Sequence, residues 1–159
     1  MDQCVGHDDE HADTITVPVP VGFEVQQLLS HLLRRAHFFA ESEFAGAYPD
    51  VDATSRQLAL LFTINRMPGA TQNDLAQAVG IDSNTLSDLA KRSEQKGLLK
   101  RVRASSDRRA WGLYLTNLGR TLVAQAAALT PDYQHILARR LSEQEAEQLV
   151  LLLKKMLAL

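Results

Sequence analysis

The segment from residue 71 to residue 116 restricts the fold more than any other part of this sequence. Thr71 is placed to cap a short helix, and Gly80 can supply the left-handed residue at which such a helix ends. Asp82 or Ser83 then begins a second helix, which ends at a Lys-Gly pair. A short helix, a turn that contains glycine and a second helix are typical of a helix-turn-helix motif.

Two strands are predicted directly after this motif. They cover Leu98–Arg103 and Ala110–Thr116, and a polar, basic tip over 104–109 joins them. Alternation along the second strand directs three apolar side chains to one face: Trp111, Leu113 and Leu115. The expected fold is therefore mainly α, with a small β-hairpin as a wing beside the helix-turn-helix motif.

Two further helices are predicted before residue 71. Apolar residues recur at helical spacing from Phe23 to about Glu43, and Thr54 with Gln57 forms a capping box for a helix that stops near Met67. The region before them is different in character. Residues 1–16 contain five acids and no Lys or Arg, and the VPVPVG segment follows, so residues 1–21 are expected to be a disordered acidic tail with an extended lead-in.

Two more helices are predicted after the hairpin. Thr116 begins a long helix, and the triplet 130–132 is expected to interrupt or restart it, because this triplet resembles a cap followed by proline. Ser142 with Glu145 forms another capping box, and the last helix is apolar nearly all round. A second surface must cover such a helix.

Composition excludes several classes of protein. The chain has 159 residues, of which 45% are hydrophobic and 23% charged, as in an ordinary globular protein. No apolar run has the length of a membrane-spanning helix, and the acidic first residues do not resemble a signal peptide, so we expect a cytoplasmic protein. The single cysteine, Cys4, excludes a disulfide within the chain.

A basic island lies over residues 91–109. It contains eight Lys or Arg and two acids, a net charge of +6, whereas the whole chain carries −2 and the remaining residues therefore sum to −8. A concentrated positive patch in an acidic protein is typical of a surface that binds nucleic acid. Phosphate contacts are expected from five of its side chains: Lys91, Arg92, Lys100, Arg101 and Arg103.

The second helix of the motif has the pattern of a recognition helix. If Leu86, Leu89 and Ala90 face inward, five polar side chains near its start can meet DNA bases or phosphates: Ser83, Asn84, Thr85, Ser87 and Asp88. At the hairpin tip, Arg108 and Arg109 are placed to enter a minor groove, and Asp107 can pair with one of them to fix the shape of the tip.

Three motifs in this region resemble the MarR family of winged helix-turn-helix regulators. They are KGLLKR at 96–101, DRR at 107–109 and LTNLG at 115–119, all at the spacing of the family. The resemblance implies a DNA-binding lobe over 54–116 and a helical dimerisation region over 22–53 and 117–159. Two departures are Ser93, where the family usually has Leu, and Asp88, an acid at a position that is often neutral or basic.

The resemblance also implies a function. It predicts a homodimeric, ligand-responsive transcriptional repressor that binds a near-palindromic operator in double-stranded DNA, with no membrane partner and no cofactor. In the family, a pocket among the first, second and fifth helices often takes aromatic or other organic acids, and acyl thioesters belong to the same expectation. The residues of this chain that such a pocket would use are His31, Arg35, Phe38, Phe39, Tyr48 and Arg66.

Other functions remain open as alternatives. The basic face could bind an acidic protein or RNA, and Cys4 could make the regulator redox-responsive, although no neighbouring Lys or Arg lowers the pKa of its thiol. His7 and His11 have ligand-type spacing, but the acidic tail offers no further anchor for a metal site. An enzyme is not expected, because the sequence has neither a Gly-rich phosphate loop nor a convergent catalytic set.

Overall fold

The computed structural model describes residues 22, 24–103 and 111–159. Within these ranges the chain forms six α-helices and one two-stranded antiparallel sheet. In chain order these elements are α1 (Leu29–Ala47), α2 (Ser55–Arg66), α3 (Gln72–Val79), α4 (Ser83–Gln95), β1 (Leu99–Arg103), β2 (Trp111–Leu115), α5 (Asn117–Ala138) and α6 (Glu143–Met156). The expected mainly helical fold with a β-hairpin is confirmed. The predicted acidic tail, 1–21, lies outside the described residues.

Local capping determines where several helices begin and end. Thr54 accepts a hydrogen bond from the Gln57 amide at 3.2 Å, while the Gln57 side chain accepts from the Thr54 amide at 3.1 Å. Equivalent capping boxes open α3 at Thr71 and α6 at Ser142. Gly80 ends α3 with φ 77°, a left-handed conformation that glycine adopts without steric cost. These boundaries are as the sequence predicts.

Two apolar clusters form the interior. The larger one lies among α2, α3, α4, the hairpin and α5, and its fully buried members include Leu60, Leu75, Leu86 and Leu113. The smaller one joins the end of α1 and the loop after it to α2 and the middle of α5, through side chains that include Tyr48, Val51, Leu58 and Ala126. The segment after α1 therefore lies in the cluster that connects α1 and α5 to the rest of the chain.

The β-hairpin pairs Leu99 with Leu115 and Arg103 with Trp111 at its two ends. The loop before α3 adds a short third edge, because the Gly69 amide donates to Leu113 O at 2.9 Å and the Leu113 amide donates to Ala70 O at 3.1 Å. The wing is thus attached to the helix-turn-helix unit by backbone hydrogen bonds at its base.

The first helix differs from its prediction at both ends, since it continues to Ala47 and does not end near Glu43. The first helix begins at Leu29 and not near Phe23, since a 3₁₀ turn over Val25–Gln27 precedes it and Leu28 is extended. Exposed side chains at Val25 and Leu28 bury too little surface to extend the helix.

The helix α5 continues through Pro131 without interruption. Pro131 has no backbone N–H, so one helical hydrogen bond is missing there. A hydrogen bond within α5 on one side of Pro131 and a contact with α1 on the other hold the helix together. Thr130 Oγ1 donates to Ala126 O at 2.9 Å, and Tyr133 Oη donates to Ala40 O of α1 at 2.9 Å. Packing against α1 therefore overrides the local proline signal.

The helix α6 and the start of α1 leave large apolar side chains exposed. In α6 and the residues after it, Leu149, Val150, Leu151, Leu152, Met156, Leu157 and Leu159 are all at least 45% exposed. A groove of about 630 Å³ lies between α6 and the end of α5, lined by residues such as Leu137, Leu141 and Val150. The described part of one chain covers only one side of this helix.

Candidate nucleic-acid interface

Asp82 caps the helix that carries the predicted base-contacting residues. Its Oδ1 accepts from the amides of Asn84 at 3.0 Å and Thr85 at 2.9 Å, and its Oδ2 accepts from the Thr85 hydroxyl at 2.5 Å. The hydrogen bond from the Thr85 side chain is the largest cause of a lowered pKa of Asp82, which keeps this carboxylate charged at the helix start. Of the two starting residues that the sequence left open, Asp82 is the cap, and α4 begins at Ser83.

The two faces of α4 are divided as the sequence predicts. Leu86, Leu89 and Ala90 are buried, whereas Ser83, Asn84 and Asp88 are exposed. Thr85 and Ser87 are half-buried beside them. The Thr85 hydroxyl already donates its hydrogen to Asp82, so its methyl group and the acceptor side of its oxygen remain available to a partner. The face thus has short polar groups at its start.

Basic side chains continue this face toward the hairpin. Lys91 and Arg92 are exposed on α4, and the Arg92 guanidinium lies back along the helix, where Nε donates to Asp88 O at 3.3 Å. Lys100 is exposed on β1. Arg103, at the end of β1, lies with its guanidinium carbon 5.0 Å from the centre of the Trp111 ring. This stacking restrains Arg103 at the last described pair of the hairpin.

Arg101 differs from the other predicted phosphate contacts. Its Nε lies 3.0 Å from Glu94 Oε2 in an ion pair whose geometry is not that of a hydrogen bond, and this nitrogen is buried. Arg101 shares its face of the hairpin with Leu99 and Leu113, which belong to the core. A charge that is paired and half-buried attracts a phosphate less than Lys100 does on the opposite face.

The predicted tip residues Asp107, Arg108 and Arg109 lie outside the described residues. The strand ends at Arg103 and Trp111 bound the segment to which they belong. Cys4, His7 and His11 also lie outside the described residues. Over the part of the chain that is described, no three His, Cys, Asp or Glu side chains gather in a way that could hold a metal ion.

Sequence reasoning missed a buried polar contact beneath α4. Ser93 is fully buried, and Gln57 Nε2 donates to its hydroxyl at 3.4 Å. Gln57 thereby completes the capping box of α2 and also contacts α4. The unusual serine at this position could have suggested a polar partner, but nothing local indicates a residue 36 positions earlier.

The six predicted ligand-binding residues lie in different environments. Tyr48 is buried, with its hydroxyl 3.2 Å from Thr130 Oγ1 and its ring 4.7 Å from that of Phe44. Phe39 lies under the Arg139 guanidinium at 4.8 Å. The other four are exposed or half-buried on α1 and at the end of α2: His31, Arg35, Phe38 and Arg66.

A cleft of about 660 Å³ lies beside this set, between α1, the start of α2 and the turn before α4. None of the six predicted residues lines it. Its polar side chains are His37, Glu41, Ser55, Arg56, Asp82 and Thr85, and its apolar side chains are Ala59, Val79 and Ile81. Ser55 Oγ donates to Glu41 Oε1 at 2.5 Å. The acids of the cleft are therefore hydrogen-bonded, while Arg56 forms no ion pair with any described residue.

Comparison with known proteins finds one matching family and a similar transcriptional regulator. The model of the MarR family matches residues 51–110. The transcriptional regulator HosA of Escherichia coli O157:H7 is 31% identical over 106 residues, which cover 67% of this chain and 78% of HosA.

Solved structures share the fold over most of the chain. Bordetella bronchiseptica BpsR, whose DNA binding is regulated by 6-hydroxynicotinic acid, is 27% identical with a TM-score of 0.79, covering 84% of this chain and 96% of that one. The transcriptional repressor CouR, bound to a 23-mer DNA duplex, is 28% identical with a TM-score of 0.77, covering 88% of this chain and 99% of that one. No helix within the described ranges is long and apolar enough to span a membrane.

Proposed function

The chain belongs to the MarR family of transcriptional regulators, and from this premise we propose that it is a cytoplasmic, dimeric repressor that binds a near-palindromic operator and is released by a small organic acid. The observation that carries the proposal is the outward face of α4, where exposed Ser83, Asn84 and Asp88 lead into the basic side chains of α4 and β1. Short polar groups at a helix start, with cations beyond them, match the edges and backbone of a major groove.

Base and phosphate contacts have different roles in this proposal. Ser83, Asn84, Ser87 and Asp88 select the sequence, and Asp88 can accept from a cytosine amino group. Thr85 offers a methyl group, which suits the methyl group of thymine. Most of the affinity comes from four phosphate contacts, Lys91, Arg92, Lys100 and Arg103. Arg108 and Arg109 supply the predicted contact with the minor groove, and Asp107 holds their loop.

A second copy of the chain is the proposed cover for the exposed face of α6. The groove between α5 and α6 and the apolar side chains of α6 form one continuous apolar surface, which is large for a monomer. A dimer also presents two copies of α4 on the same side of the molecule. Two recognition helices about 34 Å apart can enter successive major grooves on one side of DNA. CouR, a repressor of similar fold, binds a 23-mer DNA duplex.

The cleft between α1, α2 and the turn before α4 is the effector site we propose, in place of the six residues predicted from sequence. Arg56 and His37 can hold a carboxylate, while Ala59, Val79 and Ile81 offer an apolar wall to the rest of the molecule. BpsR responds to an aromatic acid, which has this combination of groups. The ligand would release DNA to the extent that it binds the cleft better in the geometry that does not fit the operator.

An experiment with paired variants tests the operator contacts. Arg108→Ala with Arg109→Ala is expected to weaken operator binding at least tenfold and to leave the dimer intact. Lys154→Ala with Lys155→Ala removes the same charge from α6 and serves as the control, with the dimer checked by sedimentation. Equal affinity for both double variants would refute the wing assignment. If the unmodified protein bound single-stranded RNA or an acidic peptide as tightly as the operator duplex, the alternative of a general basic module would be favoured.

A second experiment tests the effector site. Aromatic acids and their acyl thioesters are titrated into the protein–operator complex, with Arg56→Gln as the variant. Arg56→Gln is expected to raise the acid concentration needed for release by about tenfold or more, since it removes a charge-assisted hydrogen bond, and to leave operator affinity unchanged. Release at the same concentration from both proteins would place the effector elsewhere.

A further inference from the structure

The loop between α1 and α2, residues 48–54, contacts both the long helix α5 and the recognition helix α4. Two of its side chains are anchored in the smaller apolar cluster, since Tyr48 and Val51 are 5% and 8% exposed. Thr54 at its far end caps α2. We refer to residues 48–54 as the connecting loop.

On one side, the connecting loop is bound to α5. The Tyr48 hydroxyl lies 3.2 Å from Thr130 Oγ1, and Gln125 Nε2 donates to Asp50 O at 3.4 Å. Both partners lie on α5, more than one helical turn apart. A movement of α5 should therefore also move the start of the connecting loop.

On the other side, the connecting loop is bound to the end of α4. Lys96, the residue directly after α4, donates from Nζ to Asp52 O at 3.0 Å and to Asp52 Oδ1 at 2.6 Å. Only Val51 separates Asp52 from Asp50, whose carbonyl group contacts α5. A few residues further, Gln57 donates to Ser93 in the last turns of α4.

We propose that the connecting loop couples the position of α5 to that of the recognition helix, and that Asp52 and Lys96 are positioning residues for DNA binding. Lys96 belongs by sequence to the basic island, but its ammonium group is committed to Asp52. The inference rests on the proposed function and adds a route by which a movement of the dimer helices reaches α4. The coupling has a continuous physical path, because the backbone of Asp50 contacts α5 and the backbone of Asp52, two residues later, contacts Lys96.

The effect of removing the negative charge of Asp52 distinguishes a positioning role from a direct effect of net charge on DNA binding. Asp52 is an acid close to the basic face, so its removal should strengthen DNA binding if only the net charge matters. If Asp52 positions α4, its removal should weaken binding to the operator. Asp50 provides a matched control, since its exposed carboxylate lies in the same loop and its contact with α5 uses only its backbone carbonyl group.

The test compares Asp52→Ala, Asp50→Ala and Lys96→Gln in the full chain, with operator and scrambled duplexes. We expect Asp52→Ala and Lys96→Gln each to weaken operator binding about two- to fivefold, the upper part of the range for a surface ion pair, since the Asp52 side chain is 89% exposed. The double variant should be no weaker than either single one. Asp50→Ala should bind the operator as well as the unmodified protein or better.

Direct phosphate contact by Lys96 would overturn the proposal. In that case Lys96→Gln would weaken operator and scrambled DNA alike and lower the salt slope by about 0.9, and Asp52→Ala would bind more tightly.

Amide hydrogen exchange gives a readout that does not depend on DNA. The amides of Lys96, Gly97 and Leu98 are bonded to carbonyl groups at the end of α4 and should exchange faster in Asp52→Ala than in Asp50→Ala. If the unmodified protein selected no operator, the proposed function would fail, and exchange would still test the coupling. Equal exchange in both variants would refute the positioning role.

Discussion

Substitution of Gly119 by alanine should destabilise this protein, although the same change usually stabilises a helix. Gly119 lies in the first turn of α5, where its amide donates to Thr116 Oγ1 at 3.1 Å. A methyl group at Gly119 would overlap the carbonyl oxygen of Leu98 and lie 2.9 Å from its carbonyl carbon. Because both neighbouring atoms are backbone, the clash cannot be relieved by turning a side chain.

The size of the effect follows from what must move. Leu98 O accepts from the Thr116 amide at 3.1 Å, while the Thr116 hydroxyl donates mainly to Gly97 O at 2.6 Å and lies 3.3 Å from Leu98 O. Displacing Leu98 O costs about 1 kcal/mol for the hydrogen bond from the amide, and overpacking adds about 1 to 3 kcal/mol. The better helix propensity of alanine returns about 1 kcal/mol. The free energy of unfolding should therefore fall by about 1 to 3 kcal/mol, which lowers the Tm by about 6 °C in a chain of this size.

Thermal unfolding followed by circular dichroism, at one protein concentration, measures the change. Gly46→Ala is the matched control, because Gly46 lies inside α1 with no atom near the position of an added methyl group. It should raise the free energy of unfolding by about 0.5 kcal/mol. A Tm for Gly119→Ala equal to or above that of the unmodified protein would refute the predicted contact between the start of α5 and Leu98.

Three further outcomes are expected. Tyr48→Phe removes the hydroxyl contact with Thr130 and should cost about 1 kcal/mol in urea unfolding, whereas an unchanged midpoint would argue against this contact. Asp82→Ala should destabilise the protein at pH 6. Because the pKa of Asp82 is lowered in the folded state, the stabilisation by its charge is complete above the ordinary value of 3.8 and declines as the pH falls below 3.8 toward the folded pKa. A difference in stability that does not shrink as the pH is lowered from about 6 to about 2 would contradict this cause. Lys100→Ala should lower the salt slope of operator binding by about 0.9 and Arg101→Ala by much less, because Arg101 is paired with Glu94; equal slopes would contradict that distinction.

Local signals account for the parts of the fold that could be predicted from the sequence. The capping box at Thr54 and the left-handed Gly80 depend on neighbours within three or four residues. The hairpin strands were predicted to within one residue at each end, since alternation and turn composition are also local. Pro131 shows the limit of such signals. The local sequence predicts that α5 is interrupted there, but the helix continues because Tyr133 contacts α1.

Contacts between distant residues could not be predicted in the same way. Lys96 and Asp52 are 44 positions apart, and the sequence groups Lys96 with the cations of the basic island. The effector cleft combines Arg56 of α2 with His37 of α1 and with the turn before α4, and no periodicity relates these positions. The outward face of α4 was predictable because three buried side chains on one helix fix which residues face outward.

The most direct test of the central claim is a fluorescence-anisotropy titration with DNA from immediately upstream of the protein's own gene. The same titration with scrambled duplex, at several salt concentrations, separates sequence selection from attraction to phosphate. We predict that the upstream DNA binds at least a hundredfold more tightly than the scrambled duplex at near-physiological salt, and that an aromatic acid weakens only the selective binding. Equal affinity for both duplexes, lost together as salt rises, would contradict operator recognition by α4.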